Sequence, residues 1–257
     1  DEISQLARAF DDMATALEER TAEGKRAADA LRASEDRFRS VAQSAADAII
    51  VTSGDGTSDS DTNVVGQRLD LLLGKVLRID VRTLPYTVPP DNPFVDRPGA
   101  RPETWAYGLR NPWRMSIDDQ GRVWVGNNGQ DLWEQVYLVR KGGNYGWSAT
   151  EGGRPFYPSR AGPDPIAKPA FEHSHAEARS LTGGRVYRGE IAELRGKYVY
   201  GDYSTGKIWA EGREIADTTL QITYFGQDAK GEMLVLDHGG GLYRLEPTPP
   251  DAPRPAF

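Results

Sequence analysis

The sequence predicts a mainly β protein, a β-propeller of stacked hairpins, preceded by one long α-helix. Three observations predict it. Gly24 is the only glycine before Ser53, whereas the rest of the 28 glycines punctuate the chain after it. Beyond Ser53 short alternating runs are separated by Gly, Asp and Asn turns, the pattern of antiparallel β structure. A hairpin-sized unit also repeats: Gly196 to Asp202 is followed ten residues after Gly196 by Gly206 to Ala210, and Gly231 to Asp237 is followed at the same spacing by Gly241 to Leu245.

The helix is read over residues 1–46, inside a first segment 1–52. Ile3, Leu6, Phe10, Met13 and Leu17 alternate spacings of three and four, the seam of a coiled coil. The seam weakens around Arg20 to Gly24, where a glycine costs about 1 kcal/mol relative to alanine in a helix interior. So narrow a seam buries little surface unless another helix covers it. The expectation is a parallel homodimer through this helix, the alternative being packing on its own domain.

The second segment, 53–247, carries the repeats. Looser copies are Gly121 to Val125 with Val136 to Val139, and Gly74 to Asp80. One such hairpin cannot bury both faces, so the units must stack, as blades do. A β-sandwich also has short strands, but the paired glycine spacing and recurring aromatics favour a propeller of about three to four blades. The six Trp residues read as packing between blades rather than as a sugar platform. Gly239 to Gly241 reads as a hairpin turn, since no helix follows it to cradle a phosphate. A third segment, 248–257, is Pro-rich and reads as a stiff linker to a further domain.

Composition excludes several functions. A net charge of −7 leaves no basic surplus for nucleic acid. The absence of Cys removes disulfides, thiolate catalysis and zinc–cysteine sites. No run of 18 apolar residues is present to span a membrane. The chain begins without Met, which reads as residues removed or left out upstream.

Two resemblances add to this. Asp1 to Met13 resembles the second helix of HAMP signalling domains, and Leu31 to Val41 with Ala46 to Thr52 resembles the first helix and strand of a PAS domain. These imply a cytoplasmic linker from a bacterial sensor kinase over 1–52. Tyr107 to Arg114, Gly126 to Glu134 and Lys141 to Trp147 resemble the most distinctive stretch of the glucose/sorbosone dehydrogenase family. Gly54 to Thr57, Leu73 to Asp80, Pro90 to Phe94 and Ser180 to Gly184 follow the same family in order. That resemblance implies a six-bladed propeller, periplasmic or secreted, that uses pyrroloquinoline quinone and calcium to oxidise an aldose at C1.

By the same resemblance Arg110 and Asn111 reach the quinone oxygens, and Asn128 belongs to the adjoining loop. The backbone carbonyls of Gly129 and Gln130 would hold calcium, which needs oxygen atoms rather than a particular side chain. A guanidinium there would stabilise negative charge developing on the quinone. The plainer alternatives are an Arg110 paired with a carboxylate between blades and an ordinary blade turn at 128–130. Asp55, Asp59, Asp61 and Asn63 resemble part of a calcium loop, but Val64 replaces the required Gly, so a solvated turn is the expectation. His173 and His175 share a strand face.

The family's catalytic base is an upstream His, and no His precedes His173 here. The Lys and Arg pair that soluble glucose dehydrogenases present in later blades are also unmatched, with Ser204 and Thr205 near the Lys position. These departures point to a sorbosone-type or Hedgehog-interacting-protein-like branch. Three readings follow: a fragment of a quinone-dependent sugar dehydrogenase, incompetent as given; a non-catalytic propeller that binds a carbohydrate or protein; and a signalling linker whose helix is the working part. The two resemblances imply opposite sides of a membrane.

Overall fold

The computed structural model describes Lys25 and residues 49–56, 59–83 and 85–247. The helical pairing expected over 1–46 and the Pro-rich tail fall outside these residues, Lys25 excepted, so the long N-terminal helix gains no support. The chain divides into two compact units, residues 1–49 with 80–87, and residues 50–79 with 88–257. In the first, Asp80 and Thr87 exchange backbone hydrogen bonds of 2.8 Å in both directions, and Arg82 pairs with the Asp80 carboxylate.

The second unit holds the blades. β1 (Ile49–Ser53), β2 (Lys75–Ile79) and β3 (Thr104–Tyr107) form a three-stranded sheet. β4 (Asn111–Ile117), β5 (Val123–Asn128) and β6 (Trp133–Val139) follow, and after the short hairpin β7 (Thr150–Glu151) and β8 (Arg154–Pro155), β9 (Phe171–Ser174) completes a four-stranded sheet on β6. β10 (Leu181–Val186), β11 (Tyr198–Asp202), β12 (Ile208–Ala210) and β13 (Arg213–Ala216) make the next. β14 (Ile222–Gln227), β15 (Met233–Asp237) and β16 (Leu242–Arg244) make the last. The paired repeats read in the sequence are hairpins here, β11 with β12, β15 with β16 and β5 with β6, whereas the looser copy Gly74 to Asp80 is the single strand β2, paired with β3 across a long connection.

The turns explain the glycine spacing. Asp118 Oδ1 accepts the backbone N–H of Gln120 and Arg122, each at 2.9 Å, and Asp228 Oδ1 accepts those of Lys230 and Glu232 at 2.8 and 2.9 Å. Gly121 and Gly231 stand in these turns at φ +72° and +84°, which glycine adopts at no steric cost.

First strands of successive sheets meet along one line. Thr182 Oγ1 on β10 donates to Ile222 O on β14 at 2.7 Å, and Arg114 Nε on β4 donates to Thr223 O at 3.0 Å. Gly183 makes the approach of β10 to β4 possible, since a Cβ there would lie 2.6 Å from Arg114 O. Three apolar layers fill the spaces between the four sheets. Val76, Ala106, Val125 and Tyr137 lie between the first and second, Trp124, Val136, Tyr198 and Trp209 between the second and third, and Val199, Ile208, Phe225 and Val235 between the third and fourth. This is a partial, propeller-like fold, mainly β and without closure. Trp124 and Trp209 pack between blades as expected, Trp124 stacking on Tyr198 at 4.5 Å between ring centres, whereas Trp113 is exposed and Trp147 is buried beside Asp55 and Phe156. Among the described residues no helix is long and apolar enough to cross a membrane.

One lysine in the run Leu73 to Asp80 is structural. Lys75 is fully buried, and its Nζ donates to the carbonyls of Val65, Gly66 and Leu73 at 3.0, 3.2 and 2.7 Å. Burial pushes its ammonium down to about 8, against the attraction of Asp61. Lys75→Met is expected to leave three carbonyls without their donor and to cost about 3 kcal/mol of stability. An unchanged urea midpoint would show that water replaces the ammonium without loss.

Candidate functional site

The site lies at one end of the second sheet. In the β4–β5 register Asn111 stands opposite Asn128, and in β6–β9 Trp133 stands opposite Ser174, so the start of β4, the end of β5, the start of β6 and the end of β9 share one edge. Arg110, Asn111, Asn128, Gly129, Gln130 and His175 therefore come together at this edge, as residues near both ends of the segment do only through strand pairing.

Arg110 is anchored at every level. Its backbone N–H donates to Asn127 Oδ1 at 3.1 Å, and its carbonyl accepts from Asp55 N–H at 2.8 Å. Nη1 donates to Gly129 O at 2.7 Å and to Asn128 O at 3.3 Å. The guanidinium sits 5.7 Å from the Trp147 ring, close enough for a cation–π attraction. Trp147 is itself held by its indole N–H, 2.7 Å from Asp55 Oδ2. The remaining nitrogens, Nε and Nη2, carry no hydrogen bond among the described residues.

The other expected residues differ in their availability. Asn111 is exposed at the start of β4. Asn128 is buried and turned away toward the next blade, its amide nitrogen donating to Leu181 O and its oxygen accepting from Ser180 Oγ, both at 3.0 Å. Gln130 extends its side chain to Ser60, accepting from Ser60 N–H at 2.6 Å and donating to Ser60 Oγ at 3.0 Å.

Two carboxylates organise this loop: Glu134, which with Asp131 reads in the sequence either as added charge or as part of a solvated loop, and Glu151, which sequence reasoning missed. Glu151, about twenty residues downstream, accepts the backbone N–H of Gln130, of Asp131 at 2.8 Å and of Leu132 at 3.1 Å. Glu134 is wholly buried beneath the loop. It accepts from Leu181 N–H at 2.9 Å, lies 2.9 Å from His175 Nε2, and is approached by the Gly129 N–H. Burial pushes its carboxyl up to about 8, reinforced by Asp202 and opposed by these N–H donors and Arg110. Glu134 shares a face of β6 with Val136 and Leu138, a local cue to its burial; none existed for Glu151.

The two histidines part company. His173 is buried against Trp209, its Nε2 2.7 Å from Tyr200 Oη, and burial holds its imidazole below the usual range. His175 is partly exposed at the site edge and paired with Glu134. The solvated turn expected at Asp55 to Asn63 is only partly so. Asp61 is fully buried and accepts from Val65 N–H at 2.6 Å, Gly66 N–H at 3.1 Å and Ser148 Oγ at 2.9 Å, a loop staple made by the fold.

The sequence profile of the glucose/sorbosone dehydrogenase family matches residues 14–220. That match starts inside the stretch read as a HAMP/PAS linker, which finds no support. HIPL1 protein of Arabidopsis thaliana is 37% identical over 186 residues, 61% of this chain and 27% of that protein. Aldose sugar dehydrogenase YliI of Escherichia coli (strain K12) is 36% identical over 90 residues, 35% of this chain and 24% of that protein. The chain thus spans about a quarter of the length of these relatives. A solved structure of a glucose dehydrogenase superposes with a TM-score of 0.62 at 23% identity, over 78% of this chain and 60% of that one, a likeness of fold. With a family profile covering most of its residues and a blade arrangement to match, the chain belongs to the glucose/sorbosone dehydrogenase family.

Proposed function

We propose that this chain supplies the quinone-facing wall of a sugar-oxidising site, in an oxidoreductase that takes a hydride from a sugar hydroxyl or hemiacetal carbon. The observation that carries this reading is Arg110, tethered through Nη1 with Nε and Nη2 directed to nothing in the described chain. A guanidinium anchored in this way and backed by an aromatic face suits the electron-rich carbonyl oxygens of a quinone. Bound there, pyrroloquinoline quinone supplies the hydride acceptor. The chain's own residues do the rest: the Gly129 tether fixes the plane of the guanidinium, Trp147 keeps water from its lower face, and Asn111 offers an exposed amide beside it.

Calcium does not fit the residues as they stand. The Gly129 carbonyl that would ligate it accepts from Arg110, so no step is assigned to a metal. Nor is a proton acceptor assigned, because no histidine precedes His173.

Titration with pyrroloquinoline quinone, followed by its absorbance, tests the reading. Arg110→Ala should weaken binding by about 10- to 100-fold, the range of a lost charged hydrogen bond, with the melting curve still cooperative. Equal affinity in both proteins would remove Arg110 from the site. A dye-linked aldose assay with added quinone then tests the oxidation itself.

A second reading is a non-catalytic binding propeller. It is favoured by the match to Hedgehog-interacting protein of Homo sapiens, whose name records a protein partner, 27% identical over 232 residues, 75% of this chain and 30% of that protein. Quinone titration without any spectral response would select it.

A further inference from the structure

We infer that Arg110 takes the place of a metal ion in the 128–132 loop, so that this site is built around a covalently attached cation and works without a divalent one. The inference concerns the loop and stands apart from the identity of the ligand that Arg110 faces.

A calcium site needs six to eight oxygen atoms at about 2.3–2.6 Å, several of them anionic. Here the oxygens are spoken for. The carbonyls of Asn128 and Gly129 both point at Arg110 Nη1, which lies 2.7 Å from Gly129 O, in the position a cation would occupy. A second positive centre there would face the first at contact distance, where like charges repel strongly in a half-buried setting. The anionic groups are also turned the wrong way. Glu151 faces the N–H side of the loop and is saturated by the amides of Gln130, Asp131 and Leu132. Glu134 lies below, held by Leu181 N–H and His175. Gln130 Oε1 is taken by Ser60. Among the described residues no three His, Cys, Asp or Glu side chains are grouped to hold a metal.

The loop is thereby complete in itself. Its carbonyl side is neutralised by a guanidinium and its amide side by a carboxylate, each delivered by a different strand connection. Arg110 cannot drift from this duty, because Asn127 and Asp55 fix its main chain on both sides. Arginine suits the role better than lysine, since one planar fork can tie down two carbonyls while presenting further N–H groups outward.

Two measurements on the whole chain decide the matter. The first is the thermal midpoint with a chelator and with millimolar calcium; the second is terbium emission excited through the tryptophans, with Trp147 at the site. For the native chain the midpoint should be the same in both conditions and no terbium emission should appear. Arg110→Gln removes the cation and leaves the two carbonyls facing no positive charge, so its midpoint should fall by about 5 °C with no gain of terbium emission, whereas Arg110→Lys, which keeps a cation, should recover most of that loss. A native midpoint that falls with chelator, or terbium emission from the native chain, overturns the inference, and these arms need no variant to fold. An Arg110→Gln protein as stable as the native chain overturns it too, because the guanidinium would then not be neutralising the loop carbonyls. Quinone binding that requires calcium would sink this inference and leave the proposed function standing. Absence of quinone binding in a calcium-indifferent chain would do the reverse.

Discussion

Gly129→Ala is expected to lower the unfolding free energy by about 4 kcal/mol or more, among the largest single-residue effects in the chain. A Cβ built on Gly129 would lie 1.7 Å from the Trp133 carbonyl oxygen and 2.7 Å from Glu151 Oε1. Neither neighbour can yield cheaply. Trp133 opens β6 and is held opposite Ser174 on β9, while Glu151 is fixed by three loop amides. Moving the loop instead would strip those amides from a buried carboxylate and pull the Gly129 carbonyl from Arg110, leaving charged groups underbonded. Urea unfolding measures the cost. Gly226→Ala is the control, because its Cβ would meet Leu234 Cβ at 3.7 Å and Tyr224 Cε1 at 4.0 Å, both ordinary contacts, and it should shift stability by less than about 1 kcal/mol. If the two variants unfold at the same urea concentration, the loop is pliant and the anchoring of Arg110 is not what the distances indicate.

Glu134 should make the fold lose stability as pH rises toward 8. Its carboxyl is raised in the folded chain to about 8 by burial, whereas an unfolded glutamate releases its proton near ~4.3. A group raised in this way contributes fully below the unfolded value and loses that contribution as pH climbs through the folded one. The groups that set the balance are Asp202, which opposes ionisation, the Leu181 and Gly129 N–H groups and Arg110, which favour it, and the His175 imidazole 2.9 Å away. The interval between the two values corresponds to a loss on the order of 5 kcal/mol between about pH 4 and about pH 8. Glu134→Gln keeps an oxygen for Leu181 N–H and has nothing to ionise. The stability difference between native and variant should therefore grow across that interval in the variant's favour. A difference independent of pH would mean that Glu134 ionises like an exposed carboxylate.

Both effects act on residues whose importance differs in how it could be read. Gly129 lies in a stretch the sequence marks by resemblance. What it cannot show is that Trp133, four residues on, folds back to within contact of its Cα. Glu134 occupies an alternating position on a strand, where a buried apolar side chain is the ordinary expectation; its polarity is tolerated because β10 and His175 bring donors from forty or more residues away.

Local order was legible because it is local. Hairpins declared themselves through glycine at positive φ and aspartate closing the turn within four residues, as at Asp118 to Arg122. The stacking of blades followed from faces that one hairpin cannot bury, and the aromatic strands met that need with Trp124, Tyr198, Tyr200 and Trp209. The sequence by itself thus determined the class of fold, the hairpin units and the neighbourhood of Arg110. Only the tertiary structure decided which oxygen each charged group would face. Arg110 could have met a carboxylate or a quinone on sequence grounds alone; it meets the carbonyl of Gly129, nineteen residues away, because β4 and β5 pair in one register. Electrostatic partnership is settled by distances of a few ångströms between segments remote in the chain, and no periodicity along the sequence encodes such distances.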